Sequence, residues 1–151
     1  MKIKPTPPKS TLLISTLADF RYELRHFLQF SEYAALEAGL QPQQHQLLLQ
    51  VAGAPETVVV TIAYAAERLG LKHNSAVELV DRSEREGLLA RAADANDKRK
   101  AILKITHKGR QVLNKLSGVH ARELNELAPM LIEALEHVRF HARQSSGTEG
   151  E

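Results

Sequence analysis

The chain reads as mainly helical with one short β-hairpin between helices. Three observations predict this. Apolar residues recur at three- and four-residue spacings through most of the 151 positions. Glycine or proline punctuates those runs where helices end or begin. Only around residues 88–105 do two short apolar runs face each other across a polar tip, the pattern of a hairpin with a long loop. A single irregular loop is the alternative for that stretch.

The elements follow in order. Leu13, Leu17, Phe20, Leu24 and Phe27 are spaced four, three, four and three, which is one face of a helix continuing through Tyr33 and Leu36 to Gly39. Pro42 suits the first turn of a second helix carrying Leu47, Leu48 and Val51 as far as Gly53. Val58, Val59 and Val60 are β-branched and read as a stub of strand. Thr61 caps a brief helix over 62–69, closed by Gly70, and a further helix covers about 73–86 before Gly87. After the hairpin, Thr106 caps a long helix through Leu124, weakened at Gly118. Pro129 then marks the first turn of a last helix with Leu131, Leu135 and Val138 inward, and the tail from Gln144 frays.

Composition bounds the function. Hydrophobic residues make up 43% and charged residues 25%, the profile of a globular chain. There is no cysteine, which removes disulfides, thiolate metal sites, cysteine nucleophiles and thiol redox switches, and fits a reducing cytoplasm. No run of eighteen apolar residues exists to span a membrane. The first ten residues carry Lys2, Lys4 and Lys9 among three prolines, without the apolar stretch of a signal peptide. The net charge is only +2, with a pI near 9.0, so the placing of charge matters more than its total.

That placing is uneven. From Arg91 to Arg110 stand seven Lys or Arg (Arg91, Lys98, Arg99, Lys100, Lys104, Lys108, Arg110) against Asp94 and Asp97, a local +5. A basic hairpin on a near-neutral body is what phosphate binding requires, although charged loops are commonly just solvated. The short helix, a turn at Gly70 and the next helix make a helix-turn-helix, and the hairpin makes it winged. Ala65 and Ala66 allow a close helix crossing; Leu69, Leu71, Val77, Leu79 and Val80 offer a shared core, not all facing inward.

The chain here resembles the multiple antibiotic resistance regulator (MarR) family of bacterial transcription factors. The likeness runs through Thr61-Ile62-Ala63-Tyr64-Ala65-Ala66-Glu67-Arg68-Leu69-Gly70-Leu71, Leu79-Val80-Asp81-Arg82 and Gly87-Leu88-Leu89-Ala90-Arg91. It continues in Asp94-Ala95-Asn96-Asp97-Lys98-Arg99 and Ile105-Thr106-His107-Lys108-Gly109. Each piece alone is weak; five in register are strong. The resemblance implies one domain over 1–151, with dimerisation helices at 12–38 and 112–143 flanking a winged helix-turn-helix at 58–110. It implies a homodimer reading a pseudo-palindromic operator in double-stranded DNA, with half-sites about one turn apart, near 34–36 Å.

On that picture Lys72, His73, Asn74, Ser75 and Arg82 of the recognition helix and Asp97, Lys98, Arg99 and Lys100 of the wing form the DNA site. Asn74 can pair bidentately with adenine, and helix capping is the plainer role for Asn74 or Ser75. In the family the residues matching Asp97 and Arg99 form a pair and the Arg enters the minor groove, where a flat, weakly hydrated cation fits. Two positions depart from the family pattern. Glu78 puts an acid on the recognition helix, and Ser83 replaces an apolar inner residue.

Family members often release DNA on binding a small aromatic or phenolic acid between the arms and the winged helix. Tyr22, His26, Phe30, Tyr33 and His45 are the candidate lining here, with Phe27 beside them and Arg25 or a histidine to meet a carboxylate. Aromatics at helical spacing are more often core or dimer interface. His137 and His141, four apart, have Glu133 as the one nearby acid on the same helix face and read as solvated rather than metal-binding. No glycine-rich loop or nucleophile constellation points to an enzyme, and no cofactor is implied. The reading is a cytoplasmic homodimeric regulator, a repressor before an activator; the alternative is a winged-helix protein-interaction module with little specific DNA binding.

Overall fold

Long periodic stretches with few breakers give five helices and two strands among residues 9–146, which the computed structural model describes. In chain order they are α1 (Lys9–Glu37), α2 (Pro42–Ala52), α3 (Ile62–Leu69), α4 (His73–Arg85), β1 (Leu89–Ala93), β2 (Ala101–Ile105) and α5 (His107–Ser146). The residues before 9, including Lys2 and Lys4, and the tail from 147 lie outside the described residues. No helix of the described residues is long and apolar enough to cross a membrane.

Three expectations need correcting. Val58–Val60 form no strand; the contribution of this stub to the sheet is one bond, from the Leu103 N–H to the Val60 carbonyl at 2.8 Å. Pro129 does not start a new helix but sits inside α5. It removes one N–H from the ladder, and the Arg122–Ala128 and Met130–Glu136 stretches on either side are rich in strong helix formers. Gln144, expected to fray, is still helical, as are the two residues after it.

The chain divides into two units, one of residues 31–119 and one of the described segments 9–30 and 120–146. In the first, Leu47 and Leu48 of α2, Ala65 of α3, Leu79 and Val80 of α4, Leu88, Leu89 and Leu103 of the hairpin, and Leu113 and Leu116 of α5 form one core with Ala35 and Leu40. Each fully buried leucine contributes about 1.5–3 kcal/mol relative to exposure. The strands pair antiparallel, with Arg91 opposite Leu103 and Ala93 opposite Ala101.

The second unit buries little by comparison. Thr16, His120 and Ala134 are its buried residues among those described, while Ile14, Tyr22, Leu28, Ile132, Leu135 and Phe140 are exposed. The edges of Phe27 and Phe30 meet His120, with ring centroids 6.0 and 5.9 Å away.

Candidate nucleic-acid interface

The turn between α3 and α4 is set by local chemistry. The Thr61 hydroxyl accepts the Tyr64 N–H at 3.2 Å and opens α3. Gly70 closes it at φ +63, a left-handed conformation that side chains resist, and the Leu71 N–H reaches back to the Ala66 carbonyl at 2.9 Å. The turn so closed leads directly into α4.

One face of α4 is buried through Ala76, Leu79, Val80 and Ser83, spaced three, one and three. Ser83 takes the place of an apolar residue with its hydroxyl satisfied: it donates to the Leu79 carbonyl at 2.8 Å. The other face exposes His73, Asn74, Ser75, Glu78 and Arg82, with Lys72 exposed just ahead of it. Lys72 is the N-cap residue and makes no side-chain cap bond, so neither Asn74 nor Ser75 has the capping role that was the plainer expectation. The open N–H groups of this first turn are a favourable seat for an anion.

The wing tip is folded by its own acids. Asp94 accepts the Asn96 N–H at 2.9 Å and Asp97 accepts the Arg99 N–H at 3.0 Å, two tight Asx turns. The Lys100 N–H to Asp97 carbonyl bond, 3.0 Å, and the Asp94 N–H to Lys100 carbonyl bond, 3.2 Å, close the loop. Asp97 therefore holds the backbone of Arg99, and no ion pair joins their side chains among the described residues. Lys98, Arg99 and Lys100 are exposed. A cleft of about 400 Å³ separates the tip from the helix starts, lined by Thr61, Ile62 and Ala63, by His73, and by Arg99, Lys100 and Ala101. Two cations, an imidazole and the starts of two helices give it the chemistry of a phosphate seat.

The base of the wing is fixed by a residue that sequence reading counted only as one more positive charge. The Arg91 guanidinium donates to Asp81 at 2.5 Å and to Glu84, and the Arg91 N–H lies 3.3 Å from the second Glu84 oxygen. The Arg91 guanidinium is held above its ordinary pKa chiefly by its hydrogen bond to Asp81. Glu86 accepts from the Gln44 amide at 2.8 Å, and the Lys108 ammonium donates to the Glu86 carbonyl at 2.8 Å. Asp81, Glu84 and Glu86 are thus occupied as ties, and Glu78 makes no ion pair among the described residues. The only signal for the Arg91 ties in the sequence was opposite charge at spacings of seven and ten, which means nothing until the strand folds back.

The hairpin also explains the Thr106-His107-Lys108-Gly109 run. The Thr106 hydroxyl accepts the Gly109 N–H at 3.0 Å and donates toward the Gly87 carbonyl at 2.6 Å. A Cβ on Gly109 would stand 2.2 Å from the Leu88 carbonyl oxygen, so only glycine fits.

The aromatic candidates are divided between the two units. Tyr22, His26 and Phe30 lie in the 9–30 segment, where Tyr22 is exposed and its ring centroid is 4.4 Å from that of His26. Tyr33 and His45 lie in the other unit, Tyr33 at 66% exposure and His45 at 2%. His120, which packs against Phe27 and Phe30, was missed in the sequence because it comes from the far end of the chain. His137 and Glu133 share a groove with Asp19, and among the described residues no group of three His, Asp or Glu is placed to hold a metal ion.

Residues 38–100 match the model of the MarR family. No curated protein matches the chain. Among solved structures, a MepR mutant from S. aureus bound to an oligodeoxyribonucleotide is similar at 18% identity and TM-score 0.62, over 85% of this chain and 94% of that one. CouR from Rhodococcus jostii RHA1 bound to p-coumaroyl-CoA gives 20% and 0.62 over 95% and 96%. BldR from Sulfolobus solfataricus gives 27% and 0.56 over 87% and 95%. The hairpin seated against the helix-turn-helix gives the chain a winged helix-turn-helix fold, and the part of it that matches the MarR family model, residues 38–100, takes in α2, α3, α4, β1 and the wing tip.

Proposed function

We propose that two copies of this chain bind a pseudo-palindromic operator in the cytoplasm and repress by occupying a promoter. The observation that carries this reading is the cleft where Arg99 and Lys100 face His73 across the starts of α3 and α4. Lys72, His73, Asn74, Ser75 and Arg82 enter the major groove, with Asn74 reading a base edge, while Lys98, Arg99 and Lys100 follow the backbone toward the minor groove and Asp97 shapes their loop. Residues 58–110 form the reading head of a single 1–151 domain.

The second copy covers the exposed apolar side chains along 12–38 and 112–143, since contiguous apolar surface on such helices marks an association site. A small aromatic or phenolic effector releases the DNA, as suits a chain whose structural neighbour CouR holds p-coumaroyl-CoA. Tyr22, His26 and Phe30 supply ring faces for it.

Selection of a random duplex pool by the protein, followed by titration of the enriched duplex across salt, tests the reading. A palindrome should emerge, with affinity falling steeply as salt rises. Arg99→Ala should weaken that complex by about 1–3 kcal/mol. A second reading, a protein-interaction module, rests on the unpaired acid Glu78 in the middle of the exposed face of α4. Failure to enrich any motif, with Arg99→Ala indistinguishable from the parent, would favour that module.

A further inference from the structure

At one rung the wing is tied to α4 and to the segment that leads into α3. Arg91 and Leu103 are directly opposed in the hairpin. From one side of that rung, the Arg91 guanidinium grips Asp81 and Glu84 of α4. From the other, the Leu103 N–H donates to the Val60 carbonyl at 2.8 Å, one residue before the Thr61 cap of α3. Two residues further along each strand, the pairing ends at Ala93 and Ala101 and the basic tip begins.

A two-stranded ribbon held only by its own bonds twists and bends freely. Gripping it at one rung from both sides turns the short remainder into a lever whose direction is fixed by α4. A guanidinium suits this because its planar fork meets two carboxylates at once, which a point-charge ammonium cannot do. Arg91, though basic and beside the DNA face, is half-buried and committed inward.

We infer that Arg91, with Asp81 and Glu84, is the positioning fork that sets the wing cations in register with the recognition helix, and so decides specificity rather than affinity for DNA in general. This rests on the DNA-binding reading above. A register error between two reading elements penalises the one duplex that needs both at once. Random DNA, bound through phosphates alone, accepts many poses and loses little.

The test uses the full chain, the duplex enriched from the random pool, and a scrambled duplex of the same length. Arg91→Gln breaks the fork and leaves two bare carboxylates; the triple variant Asp81→Asn, Glu84→Gln, Arg91→Gln removes every charge and keeps the shapes. In both, affinity for the enriched duplex should fall about tenfold more than affinity for the scrambled one. The salt slope of the triple variant should match that of the parent, because no phosphate contact has been lost.

Equal losses on both duplexes, with the slope of Arg91→Gln reduced by about 0.9, would instead make Arg91 a direct phosphate contact and overturn the inference. A triple variant with parental discrimination would also overturn it, by showing that bare carboxylates were the whole effect. If Arg91→Gln alone fails to fold, the neutral triple variant still decides. A parent protein that enriches no duplex would remove the DNA-binding reading and this one with it, before any variant is made.

Discussion

Residues 31–119 and the segments 9–30 with 120–146 solve the problem of apolar surface in opposite ways. Every member of the buried hydrophobic cluster belongs to the first. Asp81, Glu84, Glu86, Gln44, Ser83 and Thr106 are likewise bonded within the unit. The second leaves long side chains in the open, Ile14 at 68% and Ile132 at 56% exposure among them. A region that closes its own core can fix a reading head by itself; one that does not leaves apolar surface for something else to cover, which in the proposed function is a second copy.

The difference between the two regions is largest in the core. Leu48→Ala, at a position with no exposure, should cost about 2–5 kcal/mol in chemical denaturation, whereas Ile132→Ala in a dilute sample should cost far less. Similar losses at both sites would erase the distinction. Next comes the joint change Leu28→Asp and Ile132→Asp, which should raise the dimer dissociation constant about a hundredfold in sedimentation equilibrium. The monomer so produced should keep the thermal transition of the 31–119 unit, and a monomer that is wholly unfolded would show that unit to lean on the arms.

Within the self-contained unit, smaller tests sharpen the picture. Gly109→Ala drives a methyl against the Leu88 backbone and should cost about 1–3 kcal/mol. Thr61→Ala removes the cap of α3 and should cost about 1 kcal/mol, seen as a lowered melting temperature. Gly118→Ala has the opposite sign: nothing lies within 4 Å of the added methyl on the helix, so stability should rise by about 0.4–1 kcal/mol.

The two regions also differed in how far they could be read from sequence. In the reading head most chain-local signals held: Thr61 and Thr106 as caps, Gly70 and Gly87 as stops, and two apolar runs about a polar tip each mark an element within a residue or two. The arms misled at Pro129, because a single breaker was weighed without the long run of helix formers around it. Val58–Val60 misled through propensity alone, since a β-branched run becomes a strand only if a partner offers more than the one bond Leu103 supplies. Exposure of Lys72 to Ser75 and of the tip cations followed from patterning. The Arg91 fork and the Gln44–Glu86 tie did not, because their partners are decided by where a strand and two helices come to lie in space.

Hydroxyl-radical footprinting of the parent protein on its enriched duplex would show whether two reading heads act as a pair. Two self-contained reading heads joined through their arms should protect two equivalent patches related by a two-fold axis, with centres about 34–36 Å apart along the duplex. Each patch should pair a major-groove contact with a flanking minor-groove contact that disappears in Arg99→Ala. A single protected patch, bound at one chain per duplex and unchanged by Arg99→Ala, would contradict both the pairing of the arms and the role given to the wing.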